Sequence, residues 1–358
     1  MSGRLERCRA LLEAGGVDGI VVGDPMDVRY LSGFRGDDAT LVVTRDAALI
    51  CTDSRFWEQV HAEVPGFTLA KTSGDLWAET VAAAAERLGP AAALGFQGTA
   101  VSYADYRILR RRHRGRLRDL RARVSLLRVL KSEPEVAVMR RAAEVTDAAL
   151  AAVVGRGLVG RSEAAVAWDL RVEYHRLGAE GEAFPAIVAS GDHGAHAHAV
   201  PSDRVIAAGE LVVVDTGARV DGYCSDITRT LAAGQPAPEA RAIYDVVLEA
   251  QLAGLAATRA GAHGQADVDA ACRTIITAAG YGDAFGHGAG HGVGLAVHEA
   301  PSLGRTRGDR LEAGMVCTME PGIYIEGRLG VRIEDTVLVT ADGCERLTQY
   351  PKELQVTA

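Results

Sequence analysis

Three histidines in a glycine-rich stretch and four acids on apolar runs are the side chains of this sequence best suited to chemistry. His287, His291 and His298 fall within twelve residues of Phe285-Gly286-His287-Gly288-Ala289-Gly290-His291-Gly292-Val293-Gly294-Leu295-Ala296-Val297-His298-Glu299. The i, i+4 spacing of His287 and His291 suits one helix face. Glycine at 286, 288, 290, 292 and 294 forbids the helix, at ~1 kcal/mol per glycine. The stretch reads as extended or looped chain whose backbone passes close to something else. Three imidazoles on such a chain point to ligation or catalysis.

The acids come in two pairs. Leu211-Val212-Val213-Val214-Asp215-Thr216-Gly217-Ala218 and Asp221-Gly222-Tyr223-Cys224-Ser225-Asp226-Ile227-Thr228-Arg229-Thr230 are strand-like runs around an Asp-Gly turn signal, hence a hairpin. With the turn at 220–221, Asp215 and Asp226 are direct partners; with the turn at 221–222, Asp226 faces Gly217 and Asp215 is its diagonal neighbour. Either register puts both carboxylates on one face. Val316-Cys317-Thr318-Met319-Glu320-Pro321-Gly322-Ile323-Tyr324 and Gly330-Val331-Arg332-Ile333-Glu334-Asp335-Thr336 repeat the arrangement around a turn near Gly327. Glu320 and Glu334 can face each other, and Arg332, two residues before Glu334, shares its face and would hold a carboxylate ionised and oriented.

Like charges opposed on a sheet destabilise it unless something neutralises them. Unneutralised, each pair repels by ~4 kcal/mol at 4 Å and an effective dielectric near 20. Four carboxylates balance two divalent cations. Oxygen-rich ligands with one imidazole suit Mn²⁺ better than a thiolate-seeking ion. Two ions ~3.5–4 Å apart polarise a carbonyl and activate water, which is hydrolytic chemistry.

The elements that must position these groups form two sets. Residues 1–125 alternate helix and strand signals: helices over 4–14, 56–64 and 76–88, strands over 18–22, 39–43, 47–51 and 91–96. That pattern is a small α/β domain, and it carries no phosphate-cradling loop or histidine–carboxylate cluster. It reads as a part that supports or covers a site, or oligomerises. From Ser132-Glu133-Pro134-Glu135, a capped helix start, the chain over 130–358 reads as α+β, with helices from 133, over 163–177, 239–258 and 266–279, and strands between them.

The chain has 358 residues, 48% hydrophobic and 24% charged, with a net charge of −8. This excludes global disorder and argues against a nucleic-acid binder. Nine arginines against one acid over 107–123 read as a solvated helix face, because no aromatics interleave them after Tyr106. Lysine stands only at 71, 131 and 352, a coding preference for arginine. No apolar run approaches the ~20 residues of a membrane span, and the first fifteen residues lack a signal peptide's apolar core. Six scattered cysteines with no Cys-x-x-Cys pair suggest buried free thiols in a reducing cytoplasm.

On these motifs the chain resembles the M24 metallopeptidases, the creatinase/prolidase/aminopeptidase P group with a pita-bread catalytic fold. Asp27-Val28-Arg29-Tyr30-Leu31-Ser32-Gly33-Phe34 resembles the creatinase-type N-terminal domain, and Lys131-Ser132-Glu133-Pro134-Glu135 the opening of the catalytic one. The resemblance implies a pita-bread catalytic domain over 130–358, preceded by a smaller α/β creatinase-type domain over 1–125. It implies that Asp215 binds one metal, His291 and Glu320 bind the other, and Asp226 and Glu334 bridge both. A bridging hydroxide would attack the scissile carbonyl while Glu320 handles the proton. His298 would stabilise the tetrahedral intermediate or bind substrate. His287 would sit at the substrate-binding edge, and His198, before Ala199-Val200-Pro201-Ser202-Asp203, would face substrate. Where the family has Leu-Pro or a similar pair before that histidine, this chain has His196-Ala197. His193 and His196 read as solvated loop residues, and Cys224 takes no redox role.

The implied activity is a cytoplasmic exopeptidase that cleaves the Xaa-Pro bond of a small peptide with proline second, as aminopeptidase P or as prolidase. It would use two divalent ions, Mn²⁺ before Co²⁺ or Zn²⁺, and act as a homodimer, with no nucleic-acid or membrane partner. A pita-bread hydrolase of another small amide and a non-catalytic binding protein are the alternatives. The complete ligand set counts against both.

Overall fold

The computed structural model describes residues 2–358. It divides into two compact units, one ending at Arg128 and the other running Val129–Ala358.

The first unit is built on a six-stranded mixed sheet in the order Thr68–Lys71, Ala48–Thr52, Thr40–Thr44, Gly19–Val22, Leu94–Phe96, Leu117–Asp119. Gly19–Val22 and Thr40–Thr44 are buried at every position, as happens when both faces of a sheet are covered. The helix Leu76–Leu88 seats Ala84 among Val21, Val42, Cys51 and Leu94. The helix Pro25–Ser32, which propensity leaves unmarked, is set by Asp24: its carboxylate accepts from the backbone N–H of Met26 and Asp27, and Pro25 takes the first turn. Asp27 is fully buried and accepts from Ser125 Oγ at 2.6 Å and Gln97 Nε2 at 2.5 Å, with Arg128 at 2.8 Å.

The arginine-rich segment does structural work. Arg110, Arg111 and Arg112 end the helix Tyr103–Arg112, where positive charge suits the helix dipole. Arg116 and Arg123 donate to the carbonyls of Gly16 and Ala14 at the end of the first helix, Ser2–Gly15. Lys71 in this unit is exposed, with its ammonium 4.5 Å from the Trp57 ring centroid.

The second unit is α+β with two cores. The helices Glu133–Val154 and Glu163–Arg176 cover a sheet ordered Val356–Thr357, Ile227–Ala233, Glu210–Thr216, Ile187–Ser190. Val136, Met139, Ala143, Thr146, Leu150 and Val153 mark the buried face of the long helix at three- and four-residue spacing. Fully burying a side chain such as Leu150 contributes about 1.5–3 kcal/mol. The helices Pro238–Ala257 and Ala270–Ala278 cover the second sheet, ordered Glu299–Leu303, Gly290–Gly292, Val316–Met319, Asp335–Val339, Cys344–Arg346. The last helix is entered through a π-helical turn, Gly264–Asp269, and not as a regular helix from 266. Arg229, Asp335 and Lys352 tie the two sheets together: Arg229 donates to Asp335 at 2.7 Å and to the Tyr350 and Pro351 carbonyls, and Lys352 pairs with the same aspartate. Against the upward push of burial, these two cations hold the Asp335 carboxyl down to about 2. Lys131 is likewise buried, 2.9 Å from Glu299.

Candidate metal centre

Asp215 lies on the strand Glu210–Thr216 and Asp226 immediately before Ile227–Ala233. Asp215 is opposite Thr228 and Thr216 opposite Ile227, so Asp226 falls opposite Gly217. The register runs on through Arg219 opposite Cys224 and Val220 opposite Tyr223. It closes in a two-residue turn at Asp221-Gly222, with φ of 45° and 80°, the positive pair a type I′ turn needs. Of the two registers open to the sequence, this is the one with the turn at 221–222.

The second pair follows the same logic. Met319 is opposite Asp335 and Gly322 opposite Arg332, so Glu320 and Glu334, which lie between those rungs, face each other. His291 sits on Gly290–Gly292. A Cβ at Gly290 would come 2.2 Å from the Thr318 carbonyl, and one at Gly292 2.1 Å from that of Ala300. Only glycine lets this strand lie so close to its neighbours. The preceding loop is pinned by Arg273, which donates to the Phe285 and His287 carbonyls at 2.8 Å each, while Asp269 accepts from the Ala289 N–H.

The nine residues expected as ligands or reacting groups all line one cavity of about 540 Å³, walled also by Phe184, Pro185, Ile187 and Val297. Ligand-type atoms of Asp226, His291 and Glu334 lie within 4.8 Å of one another. His291 Nε2 is 3.4 Å from Glu320 Oε1 and 3.7 Å from Asp226 Oδ2. The His298 ring packs against that of His291, tilted by 57° with 4.3 Å between centroids.

Arg332 holds a carboxylate, that of the other hairpin. Its guanidinium, 4% exposed, crosses to the first hairpin and donates to Asp215 Oδ2 at 2.6 Å, not to Glu334. It also donates to Tyr324 Oη at 2.6 Å, Thr228 Oγ1 at 3.0 Å and the Ala197 carbonyl at 3.3 Å. Glu334 accepts instead from the Thr228 hydroxyl at 2.6 Å. Sharing a face with Glu334 did not make the pair, because a long planar fork reaches past its strand neighbour to the facing sheet. His193 departs from expectation: it is half-buried, with Nδ1 2.9 Å from the buried Glu163 carboxylate, and is no solvated loop residue.

Two residues of the site were missed. Tyr324 receives the Arg332 hydrogen bond and lies 3.0 Å from His287 Nε2; His287 Nδ1 lies 2.8 Å from the Gly288 carbonyl. With Nδ1–H donating there, Nε2 accepts the tyrosine proton. Thr228 links Arg332 to Glu334. The signal was present: by the same pleat, Tyr324 shares the face of Glu320 and is the diagonal neighbour of Arg332, and Thr228 is the rung opposite Asp215.

The electrostatics call for a cation. Burial, then the facing carboxylates, pushes Asp226 and Glu334 well above the usual carboxylate range, and burial raises Glu320. Asp215 Oδ1 and Glu334 Oε1 are buried without a hydrogen-bond partner, at about 1–3 kcal/mol for each unsatisfied group. Burial also lowers the pKa of His291, and its Nδ1–H donates to the Gly292 carbonyl at 3.1 Å. A neutral imidazole thus turns a bare Nε2 lone pair toward carboxylate oxygens, which is repulsive unless a positive ion lies between. Oxygen ligands with one imidazole fit hard or borderline divalent ions.

A pH effect follows. A carboxyl whose pKa is raised in the folded state contributes stability at low pH that is lost as pH climbs toward the folded value. His287, His291 and His298 are shifted down from 6.5, so they act with the opposite sign and add stability as pH rises through 6.5. Glu334→Gln removes one raised carboxyl and leaves the histidines in place. In chelator the parent should therefore lose melting temperature relative to Glu334→Gln as pH rises above the ordinary carboxylate value, and saturating Mn²⁺ should remove that loss. A gap between the two that does not widen with pH in chelator would contradict the charge assignment.

Comparison with known proteins bears on this geometry. Residues 137–341 match the model of metallopeptidase family M24, and residues 4–130 that of the creatinase/prolidase N-terminal domain. The chain is 35% identical over 358 residues to an Xaa-Pro dipeptidase of Pyrococcus furiosus, covering 99% of this chain and 100% of the other. Among solved structures it is similar to an Xaa-Pro dipeptidase from Bacillus anthracis (38% identity, TM-score 0.94, 99% of each chain). It is also similar to an X-Pro aminopeptidase from Thermotoga maritima (32% identity, TM-score 0.89, 99% of this chain and 100% of that one).

Proposed function

This chain belongs to metallopeptidase family M24, and from that premise we propose that it is a metal-dependent exopeptidase hydrolysing Xaa-Pro bonds in small peptides. The observation that carries the reading is the meeting of four carboxylates and a neutral imidazole in one cavity, with two carboxylate oxygens buried and unsatisfied. Asp215, His291 and Glu320 would each hold one of two divalent ions, with Asp226 and Glu334 shared between them and Mn²⁺ the preferred metal. Bound there, such ions supply Lewis acidity and an activated water.

The chain's own residues do the rest. Phe184, Pro185, Ile187 and Val297 offer an apolar wall to the proline ring. Glu320, its carboxyl raised by burial, is suited to take a proton and deliver it to the leaving proline nitrogen. His298, shifted down chiefly by burial, is neutral and can donate to the charge developing on the carbonyl oxygen. Arg332 fixes Asp215, and Tyr324 fixes His287 at the cavity edge. His298→Ala should lower kcat by ~100-fold with metal content unchanged; metal lost from that variant would make His298 a ligand instead.

Among the described residues no helix is long and apolar enough to cross a membrane. The six cysteines are free, five of them buried, which supports a reducing cytoplasm. A homodimer rests on family likeness and is tested by sedimentation.

The activity is tested by giving the Mn²⁺-loaded protein Ala-Pro and Ala-Pro-Ala together and following both by mass spectrometry. Faster loss of the dipeptide assigns a prolidase, and faster loss of the tripeptide an aminopeptidase P. Neither cleaved, with metal bound, removes the Xaa-Pro assignment.

A further inference from the structure

The segment that brings His198 to the cavity has no helix or strand of its own beyond a short 3-10 turn, Gly191–Ala195. It leaves the strand Ile187–Ser190, lines the cavity through Ala197–Pro201, and returns at Ser202. Both of its ends meet at one carboxylate. Glu163, the first residue of the helix Glu163–Arg176, is fully buried. Its Oε1 accepts from Ser190 N at 2.8 Å and Ser190 Oγ at 2.9 Å. Its Oε2 accepts from Ser202 N at 3.2 Å and Ser202 Oγ at 2.8 Å. His193 Nδ1 lies 3.0 and 2.9 Å from the two oxygens and donates between them.

The helix backbone adds to the grip, with Ala164 N–H donating to the Ser202 carbonyl and Glu163 N–H to that of Arg204. Against the push of burial, the hydrogen bonds from Ser190, His193 and Ser202 hold the Glu163 carboxyl below its usual range. At the far side, Gly330 lies so close to the Gly194 carbonyl that a Cβ there would meet it at 1.8 Å, and Arg332 reaches the Ala197 carbonyl.

Only an ionised carboxylate offers acceptors on both oxygens to donors arriving from both ends of the loop. Glu163 does not line the cavity. We propose that Glu163 is a positioning residue for the peptidase reaction: its carboxylate clasps the two ends of loop 190–202 and thereby sets where His198 meets the substrate. This rests on the reading of the cavity as a peptidase site.

Glu163→Gln turns one acceptor into a donor that faces other donors. The Mn²⁺-loaded variant should retain the parent's metal content and lose about 10- to 100-fold in kcat/KM on Ala-Pro or Ala-Pro-Ala, as misplacement of a binding group by a fraction of an ångström to an ångström costs. Because the loss acts through His198, Glu163→Gln added to His198→Ala should change kcat/KM by less than about 2-fold. A double variant showing the full product of both losses overturns the proposal, as does a single variant with parental kcat/KM.

Hydrogen–deuterium exchange reads the clasp without any activity. Peptides covering 191–201 should exchange faster in Glu163→Gln while those covering 210–216 and 227–233 stay as in the parent; unchanged exchange over 191–201 overturns the clasp. If the parent cleaves neither peptide, the peptidase reading fails and the exchange result still decides the clasp. Ser202→Ala, which removes one hydroxyl donor, should move exchange and kcat/KM the same way by less, and serves if Glu163→Gln does not fold.

Discussion

Glu334→Gln is expected to abolish hydrolysis and, in the metal-free protein, to raise the melting temperature. Glu334 is 2% exposed, has one oxygen without a partner, and lies with Asp226 and His291 inside a 4.8 Å cluster. Without metal, burial and the facing carboxylates penalise its charge. Glutamine keeps the volume and still accepts from the Thr228 hydroxyl, but removes the charge, and removing an uncompensated buried charge stabilises. The gain should appear as about 2–4 °C per kcal/mol in a unit of this size. On the proposed metal assignment the same change removes a ligand of both ions, and turnover should fall by ~1000-fold or more, equivalent to ~4 kcal/mol of lost transition-state stabilisation. Asp226→Asn should behave alike. The checks are metal content by plasma spectrometry, melting in chelator, and steady-state kinetics. Parental turnover at matched metal loading would refute a shared role for either carboxylate.

Arg332→Lys should cost ~100-fold or more in kcat/KM, despite the retained charge. The arginine serves four acceptors at once: the Asp215 carboxylate, the Tyr324 and Thr228 hydroxyls and the Ala197 carbonyl. A lysine ammonium is a compact point charge and cannot span that fork. Asp215 would then lose its fixed direction, and Tyr324 its hold on His287. Tyr324→Phe removes only one of these links and should cost less than Arg332→Lys. Equal losses for the two would mean that the tyrosine, not the Asp215 ion pair, is what Arg332 serves.

The carboxylate pairs were legible because a pleat of period two leaves few choices: once Asp221-Gly222 and Gly327 are read as turns, faces are assigned by counting. The glycine run likewise announced close backbone approach, although the neighbours at Thr318 and Ala300 could not be named without the fold. What counting cannot deliver is reach. Counting places Arg332 on the face of Glu334 but does not name its partner, since the pair with Asp215 is fixed by the distance between two sheets. His193 was read as solvated because its partner, Glu163, is thirty residues away on a helix whose start looks like any other capped start. The helix Pro25–Ser32 escaped propensity and rests on one capping aspartate. The π-helical turn Gly264–Asp269 overlaps the start of the regular helix that the pattern predicts from 266.

The coding bias toward arginine has a practical corollary. Of the three lysines, Lys131 is closed off by Glu299 and Lys352 by Asp335, at 8% and 7% exposure. Lys71 is the exposed one of the three, on the strand Thr68–Lys71, and it does not line the cavity. A lysine-selective acylating reagent should therefore attach one label or tether per chain, leave catalysis untouched, and orient every molecule on a support in the same way.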